Sequence, residues 1–418
     1  MMPSFQAEAT STRSTPSAVA GAGVGAAFDL VVADASWTWT ERLFSPLAEL
    51  GPRVLLIKAC DWRNALQQKR PVRDWLCPRR RLSNALWEQT IVLPPGWMKS
   101  YPRLGMRPVS WAIRQWRREL GETRPLALAI SYPHYLYLRD LIGPDALLYY
   151  NMDDYGLYWR SRRRKVRALE RQVVREADLS IFCAKVRAEE LSAAVPEAEN
   201  RVIHLPHGAP ASSISPAPQH GPATPPDDVA RLPRPLLGFV GSLGDRLDWT
   251  LLEHVAQEFP HGSIVLIGRD PEPCPREAWY RGFQRAVALP NVHRIGWRSQ
   301  AEIGRYNAAF DVCLIPYRVD HPFNHVACPT KVMDYMATSR PVVTTPVPEC
   351  SLYSHLFQVA ETPAAFVEAI RNVVSQGSDD GKAALRWETA RGATWERTSA
   401  VMLRHLLERT RDRLSGDV

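Results

Sequence analysis

Eight prolines fall between Ala209 and Pro235: Pro210, Pro216, Pro218, Pro222, Pro225, Pro226, Pro233 and Pro235. Proline fixes φ and has no amide hydrogen, so a stretch this rich in it is neither a helix nor a central strand. It interrupts the 418-residue chain close to its middle. The stretch 209–235 therefore reads as the linker between two domains.

Both sides show one rhythm. Phe28 to Val32 reads as a strand, Glu41 to Leu50 as a helix, and Gly51-Pro52 as a break before the strand Arg53 to Ile57. Leu126 to Ile130, Ala146 to Tyr150, Leu179 to Cys183 and Arg201 to Leu205 follow as strands. Beyond the prolines, Leu236 to Val240 reads as a strand, Trp249 to Glu258 as a helix and Ser263 to Ile267 as a strand. Val292 to Ile295, Val312 to Ile315 and Pro341 to Thr345 are further strands. Short apolar runs alternating with amphipathic helices are the pattern of a parallel sheet covered on both faces. The predicted class is α/β, with two doubly wound Rossmann-like domains facing a cleft. The predicted boundaries are a disordered tail at 1–27, domains at 28–208 and 236–385, and a helical tail at 386–418. In that tail Thr394 to Arg413 is helical, with Val401, Met402 and Leu406 turned to a core. Ligands of such folds bind beyond the carboxyl ends of the strands.

Seven scattered cysteines with no CxxC pair argue against a disulfide framework or a zinc ribbon and suit a reducing compartment. No run approaches the roughly 18 apolar residues of a membrane span. Ala18 to Ala27 is weakly apolar with no basic cluster before it, which fits a tail better than a signal peptide.

The second half carries an ordered series of short segments. Phe239-Val240-Gly241-Ser242-Leu243-Gly244-Asp245-Arg246 is a strand entering a glycine turn. Glycine there lets backbone amides approach a phosphate, and Arg246 supplies a fork suited to a diphosphate. Ile264 to Arg269 and Leu289 to Trp297 each end a strand at a glycine. Ala308 to Tyr317, Cys328 to Ala337 and Arg340 to Pro346 complete the series.

In this order the segments resemble the nucleotide-sugar-binding domain of GT-B glycosyltransferases, in the large group that includes the family 4 enzymes. Those show a Gly-Ser or Gly-Thr turn, an LPNV-x-x-x-G segment, an A-x-D-V-x-L-x-P strand and a P-x-K-x-x-E-Y-x-A-x-G-K-P-V-V block. Here that block is Pro329 to Val343. In the first half, Tyr149 to Asp154 is similar to the family's Y-D-x-x-D-D segment and Val202 to Gly208 to its V-x-P-N-G loop. The resemblance implies that Asp334 holds the ribose hydroxyls, a task for which a carboxylate is apt because it accepts from two at once. It implies that Lys331, three residues earlier, reaches a phosphate, and that Gly241, Ser242 and Arg246 form the diphosphate side. It places Gly268, Arg269, Trp297 and Arg298 around the base. Tyr317 and His325 complete the predicted donor-binding set.

The sequence departs from the family in places. Val326 stands where many members have a second glutamate, Asp334 replaces the longer ribose carboxylate, Ser339-Arg340 replaces Gly-Lys and His207 replaces Asn. His321, His325 and Cys328 do not make a metal site, because Pro322 interrupts any shared helical face and no fourth ligand is evident. No metal or other cofactor is predicted. Helix dipoles and basic side chains can hold the leaving diphosphate.

Asp153 and Asp154 follow an apolar strand and so fall at its carboxyl end, facing the cleft. They read either as turn and capping residues or as the catalytic pair, one acting as general base for an acceptor hydroxyl. Direct attack by a base-activated acceptor inverts the anomeric centre, whereas many family 4 enzymes retain it.

The net charge of +8 is uneven. Residues 1–220 hold 30 basic and 21 acidic side chains, and the rest of the chain holds 22 and 23. Between Lys58 and Arg124, 15 basic residues interleave with Trp62, Trp75, Trp87, Trp97, Trp111 and Trp116. Arginine and lysine attract anionic headgroups and tryptophan prefers the membrane interface, so Val109 to Leu120 reads as a helix lying on a bilayer, the alternatives being a solvated basic face with its tryptophans in the core and a nucleic-acid surface. The basic helix Arg160 to Ala177 either is a solvated face or steers an anionic acceptor. Nucleic acid is not the predicted partner.

The function predicted from these readings is a hexosyltransferase. It moves a sugar from a UDP- or GDP-linked donor to a polysaccharide, such as an exopolysaccharide, or to a lipid-linked oligosaccharide. It works in the cytoplasm as a peripheral protein of the inner membrane. The alternatives are a non-catalytic GT-B-like binding protein at the membrane and a nucleotide-sugar epimerase.

Overall fold

The computed structural model describes residues 27–67, 75, 77–218 and 221–414. The predicted N-terminal tail lies, but for its last residue, outside the described residues.

The first half forms an eight-stranded sheet. Its strands are β1 (Asp29–Val32), β2 (Arg53–Asp61), β3 (Arg79–Arg81), β4 (Leu86–Leu93), β5 (Leu126–Ile130), β6 (Ala146–Asn151), β7 (Leu179–Phe182) and β8 (Val202–His204), in the order β3-β4-β2-β1-β5-β6-β7-β8. Only β3 is antiparallel to its neighbour. The second half forms a parallel six-stranded sheet of β9 (Leu236–Val240), β10 (Ser263–Ile267), β11 (Val292–Gly296), β12 (Val312–Ile315), β13 (Val342–Thr344) and β14 (Gln358–Val359), in the order β11-β10-β9-β12-β13-β14.

The unbroken apolar strands follow from burial on both faces. In β1, Leu30 and Val32 join one core with Phe44 and Leu47, while Val31 joins another with Met106 and Ile113. Strand order reverses between β1 and β5 in the first sheet and between β9 and β12 in the second. At such a switch point the helices leave on opposite faces and open a crevice at the strands' carboxyl ends. The residues so placed are Asp34 and Ser131 in one domain, and Gly241 and Tyr317 in the other.

The chain crosses back at its end. Helix Trp395–Leu414 packs Met402, Leu403 and Leu406 into the first domain's core beside Leu30 and Leu148. Ala209 N donates to Ala393 O at 2.7 Å and Trp395 N donates to Ala209 O at 3.2 Å. A Cβ on Gly208 would stand 2.7 Å from the Trp395 backbone, so this crossing requires glycine. Within the proline-rich stretch, Ala223 N donates to Ala308 O at 2.8 Å and Val229 is fully buried in the second domain's core.

Two local expectations change. The helix expected over Glu41 to Leu50 is an α-helix only at Thr38–Phe44, followed by a 3-10 turn at Ser45–Glu49. Pro46 removes an amide donor and crowds the preceding turn, which ends the α-helix there. Of the six tryptophans, Trp87, Trp97 and Trp116 are core residues, and only Trp62, Trp75 and Trp111 are exposed.

Candidate functional site

The glycine turn after β9 is fixed by close packing. Gly241 has φ +149°, and its carbonyl oxygen lies where a Cβ on Gly268 would be, at 1.8 Å. Gly268 admits no side chain without moving the Gly241 turn, and the positive φ of Gly241 favours glycine there, where a Cβ would stand 3.1 Å from Phe239 and 3.4 Å from Lys331 Nζ. This brings the ends of β9 and β10 together and sets the Gly241 backbone against the Lys331 side chain of helix Lys331–Ala337.

Two cations then meet on one ring. The Arg246 guanidinium carbon lies 5.2 Å from the centroid of the Tyr317 ring, and Lys331 Nζ lies 4.5 Å from the same centroid. Lys331 is buried, donates to the Tyr317 hydroxyl and also stands 5.0 Å from the Phe239 ring. Arg246 is held from behind: its Nε donates to Asn324 Oδ1 at 2.8 Å. Asn324, itself buried, donates through Nδ2 to the carbonyls of Arg246 and Arg318 at 2.8 and 2.9 Å. The arrangement fixes two positive groups beside the Gly241 turn, a combination able to hold an anion such as a diphosphate.

Asp334 lies one helical turn beyond Lys331. Burial pushes its carboxyl up to about 6, against the opposing pull of Arg42 and Lys331. Arg42 comes from helix Thr38–Phe44 of the first domain, so both domains bear on this carboxylate. Arg269 lies over the exposed Trp297 ring at 5.7 Å. Arg298 points elsewhere, donating to Asp228 at 2.6 Å and to Tyr306 at 2.8 Å. Ser242 and His325 are exposed.

The structure separates the two aspartates after β6. Asp154 is buried, caps helix Tyr155–Tyr158 by accepting from Gly156 N at 2.8 Å, and pairs with Arg167. Asp153 accepts from the Tyr158 hydroxyl at 2.6 Å. Burial raises its carboxyl, and Tyr158 and then Arg246 of the opposite domain oppose that rise. The Tyr158 ring in turn meets Phe323 across the cleft with centroids 4.8 Å apart.

Several residues escaped the sequence reading. Asp34 lies two residues beyond β1 at the switch point, is buried, and accepts from Ser131 Oγ at 3.1 Å. An acidic residue shortly after a buried strand was the available signal. Asn324 and Arg42 carried no signal, because each acquires meaning only from a partner distant in sequence. Glu349 joins the domains, accepting from Lys185 N at 2.9 Å and lying 3.0 Å from His204 Nε2. Among the described residues no group of three or more His, Cys, Asp or Glu is placed to hold a metal ion.

Residues 234–376 match the family model of Glycosyl transferases group 1. The chain is 27% identical over 164 residues to a Bacillus subtilis (strain 168) protein named as the teichuronic acid biosynthesis glycosyltransferase TuaH. That alignment spans 38% of this chain and 40% of the relative. Among solved structures, Anabaena HepE in complex with UDP and glucose superposes with a TM-score of 0.62 at 14% identity, covering 91% of this chain and 99% of that one. The α,α-trehalose 6-phosphate synthase of Burkholderia multivorans also gives 0.62, at 11% identity, covering 92% and 99%. The chain has the two-domain GT-B fold, and its second domain resembles the group 1 glycosyltransferases.

Proposed function

We propose that the protein is a glycosyltransferase that uses a UDP-linked sugar and extends a polysaccharide or lipid-linked glycan. The observation that carries this reading is the Arg246 and Lys331 pair on the Tyr317 ring, beside the Gly241 turn and one helical turn from Asp334. A nucleotide diphosphate has the matching sequence of groups. Asp334 receives the ribose hydroxyls, and Arg246 and Lys331 receive the diphosphate. Their positive charge stabilises the electron pair left on the diphosphate oxygen as the anomeric C–O bond breaks. The acceptor oxygen forms the new bond to the anomeric carbon, and Asp153 takes its proton. Attack from the Asp153 side inverts the anomeric centre.

The polysaccharide acceptor draws support from the named role of the Bacillus relative. The membrane side of the reading rests on helix Pro102–Glu119. Leu104, Arg107, Trp111, Arg114 and Arg118 are exposed at spacings of three and four, so they share one face, and Leu104 and Trp111 are about 60% exposed. The opposite face buries Met106, Val109, Ile113 and Trp116. An arginine-flanked tryptophan on an outward helix face suits an anionic bilayer surface. Among the described residues no helix is long and apolar enough to cross a membrane. The test is a mass-spectrometric screen of UDP- and GDP-sugars against a lipid-linked acceptor pool. The reading expects a hexose mass added to an acceptor from a UDP donor. Donor conversion without acceptor would instead indicate an epimerase, and no turnover of any donor would indicate a binding protein.

A further inference from the structure

A cavity opens between the domains, and none of Tyr317, Lys331 and Arg246 lines it. It has a volume of about 520 Å³ and is lined by Arg163, Arg167 and Glu190 of the first domain and Asp320, His321 and His325 of the second. That volume falls within the roughly 300–1,000 Å³ of small-molecule sites. Asp154 also lines it, so the cavity begins one residue from Asp153.

Its acidic groups are already matched. Asp154 pairs with Arg167, Glu190 with Arg187, and Asp320 with Arg318 at 2.7 Å. Its basic groups are not all matched. Arg163 is exposed and has no ion pair or side-chain hydrogen bond among the described residues. Two buried nitrogens in the wall also lack partners, Arg167 Nε and His321 Nδ1. A guanidinium Nε always carries hydrogen, so Arg167 offers an unused donor, and a buried donor is costly to leave unmade. His321 Nε2 lies 3.3 Å from Asp245 Oδ2, which leaves Nδ1 as the nitrogen available to a ligand. The backbone nearby is shaped to these arginines. A Cβ on Gly156 would stand 3.2 Å from the Cγ atoms of both Arg163 and Arg167.

We infer that this cavity receives the acidic group of an anionic acceptor, either the carboxylate of a uronic acid unit or the phosphate of a phosphorylated glycan. Arg163 and Arg167 Nε hold the anionic oxygens, and His321 Nδ1 meets an adjoining hydroxyl. The inference rests on the glycosyltransferase reading and names its acceptor class.

The test titrates methyl β-D-glucuronide, glycerol 1-phosphate and neutral methyl β-D-glucoside into the UDP-loaded protein, followed by ligand-observed NMR. One or both acids should bind at least tenfold more tightly than the glucoside, and the preferred acid distinguishes carboxylate from phosphate. Arg163→Gln should remove that preference and leave UDP affinity unchanged. His321→Ala should weaken the glucuronide and the glucoside together. Equal binding of acid and neutral probes, no binding of any probe, or an Arg163→Gln variant that keeps the preference would overturn the inference. Failure to bind UDP would strike the donor reading instead.

Discussion

Arg246 Nε and Asn324 Oδ1 lie 2.8 Å apart, and Asn324 is anchored in turn to the Arg246 and Arg318 carbonyls. The guanidinium is thereby fixed edge-on to a neutral acceptor, leaving its terminal nitrogens for the cleft. A hydrogen bond to a charged group contributes about 1.5–3 kcal/mol. Asn324→Ala should therefore lower kcat/KM about 10- to 100-fold through loss of Arg246 positioning, and Asn324→Asp should not restore it, because its second oxygen would face the two carbonyls to which Nδ2 donates. Steady-state kinetics on the three proteins check this, and an Asn324→Ala variant with normal kinetics removes Asn324 from the site.

Asp334 makes donor binding and stability oppose each other. Its folded-state carboxyl sits at about 6, above its ordinary 3.8, because burial disfavours the charged form. The folded state thus holds the proton more tightly than the unfolded chain. This contribution to stability is present below about pH 4 and is lost as pH rises to about 6. Asp334→Asn should raise stability at pH 7, by roughly 1–3 kcal/mol, while weakening nucleoside binding. Uridine, which has no titrating phosphate, should bind wild type more weakly as pH falls through about 6, and this slope should vanish in Asp334→Asn. Thermal melts and calorimetry across pH 5 to 8 measure both.

Asp153 and Asp154 should respond differently to the same change. Asp153→Asn leaves the fold intact and removes the proton acceptor, so kcat should fall by at least about 100-fold with donor affinity unchanged. Asp154→Asn weakens a cap and breaks a buried ion pair with Arg167, so it should lower the melting temperature. A kinetic loss confined to Asp154→Asn would reverse this assignment.

Trp111 and its arginine neighbours give a surface prediction. Trp111→Ser combined with Arg107→Ser should reduce flotation with vesicles containing phosphatidylglycerol and leave the melting temperature within a degree or two, because both side chains are exposed. Unchanged flotation would remove this helix face from the membrane reading.

The architecture was largely legible in the chain. Leu126–Ile130, Leu236–Val240, Ser263–Ile267 and helix Trp249–Glu258 form over the residues their apolar patterns mark. Strands buried on both faces have no alternation to misread, and the two sheets form on either side of the proline-dense stretch. What the pattern could not resolve were faces and partners. The tryptophans of 62–116 look alike in sequence, yet Trp116 fills the core while Trp111, on the same helix, faces solvent. Arg298 sits among residues read as base-contacting but turns to Asp228, 70 positions away. Arg42 bears on Asp334 only because the domains face each other. Local composition marks where a strand ends in a glycine turn. It does not show which distant side chain arrives there.

Calorimetric titration of UDP into wild type, Lys331→Ala and Asp334→Ala decides whether Gly241, Arg246, Lys331 and Asp334 form the donor site. Binding to wild type should be saturable, and weakened at least tenfold in each variant while both remain folded. Absence of UDP and GDP binding to wild type, or an unchanged UDP affinity in Asp334→Ala, would contradict the donor-site assignment.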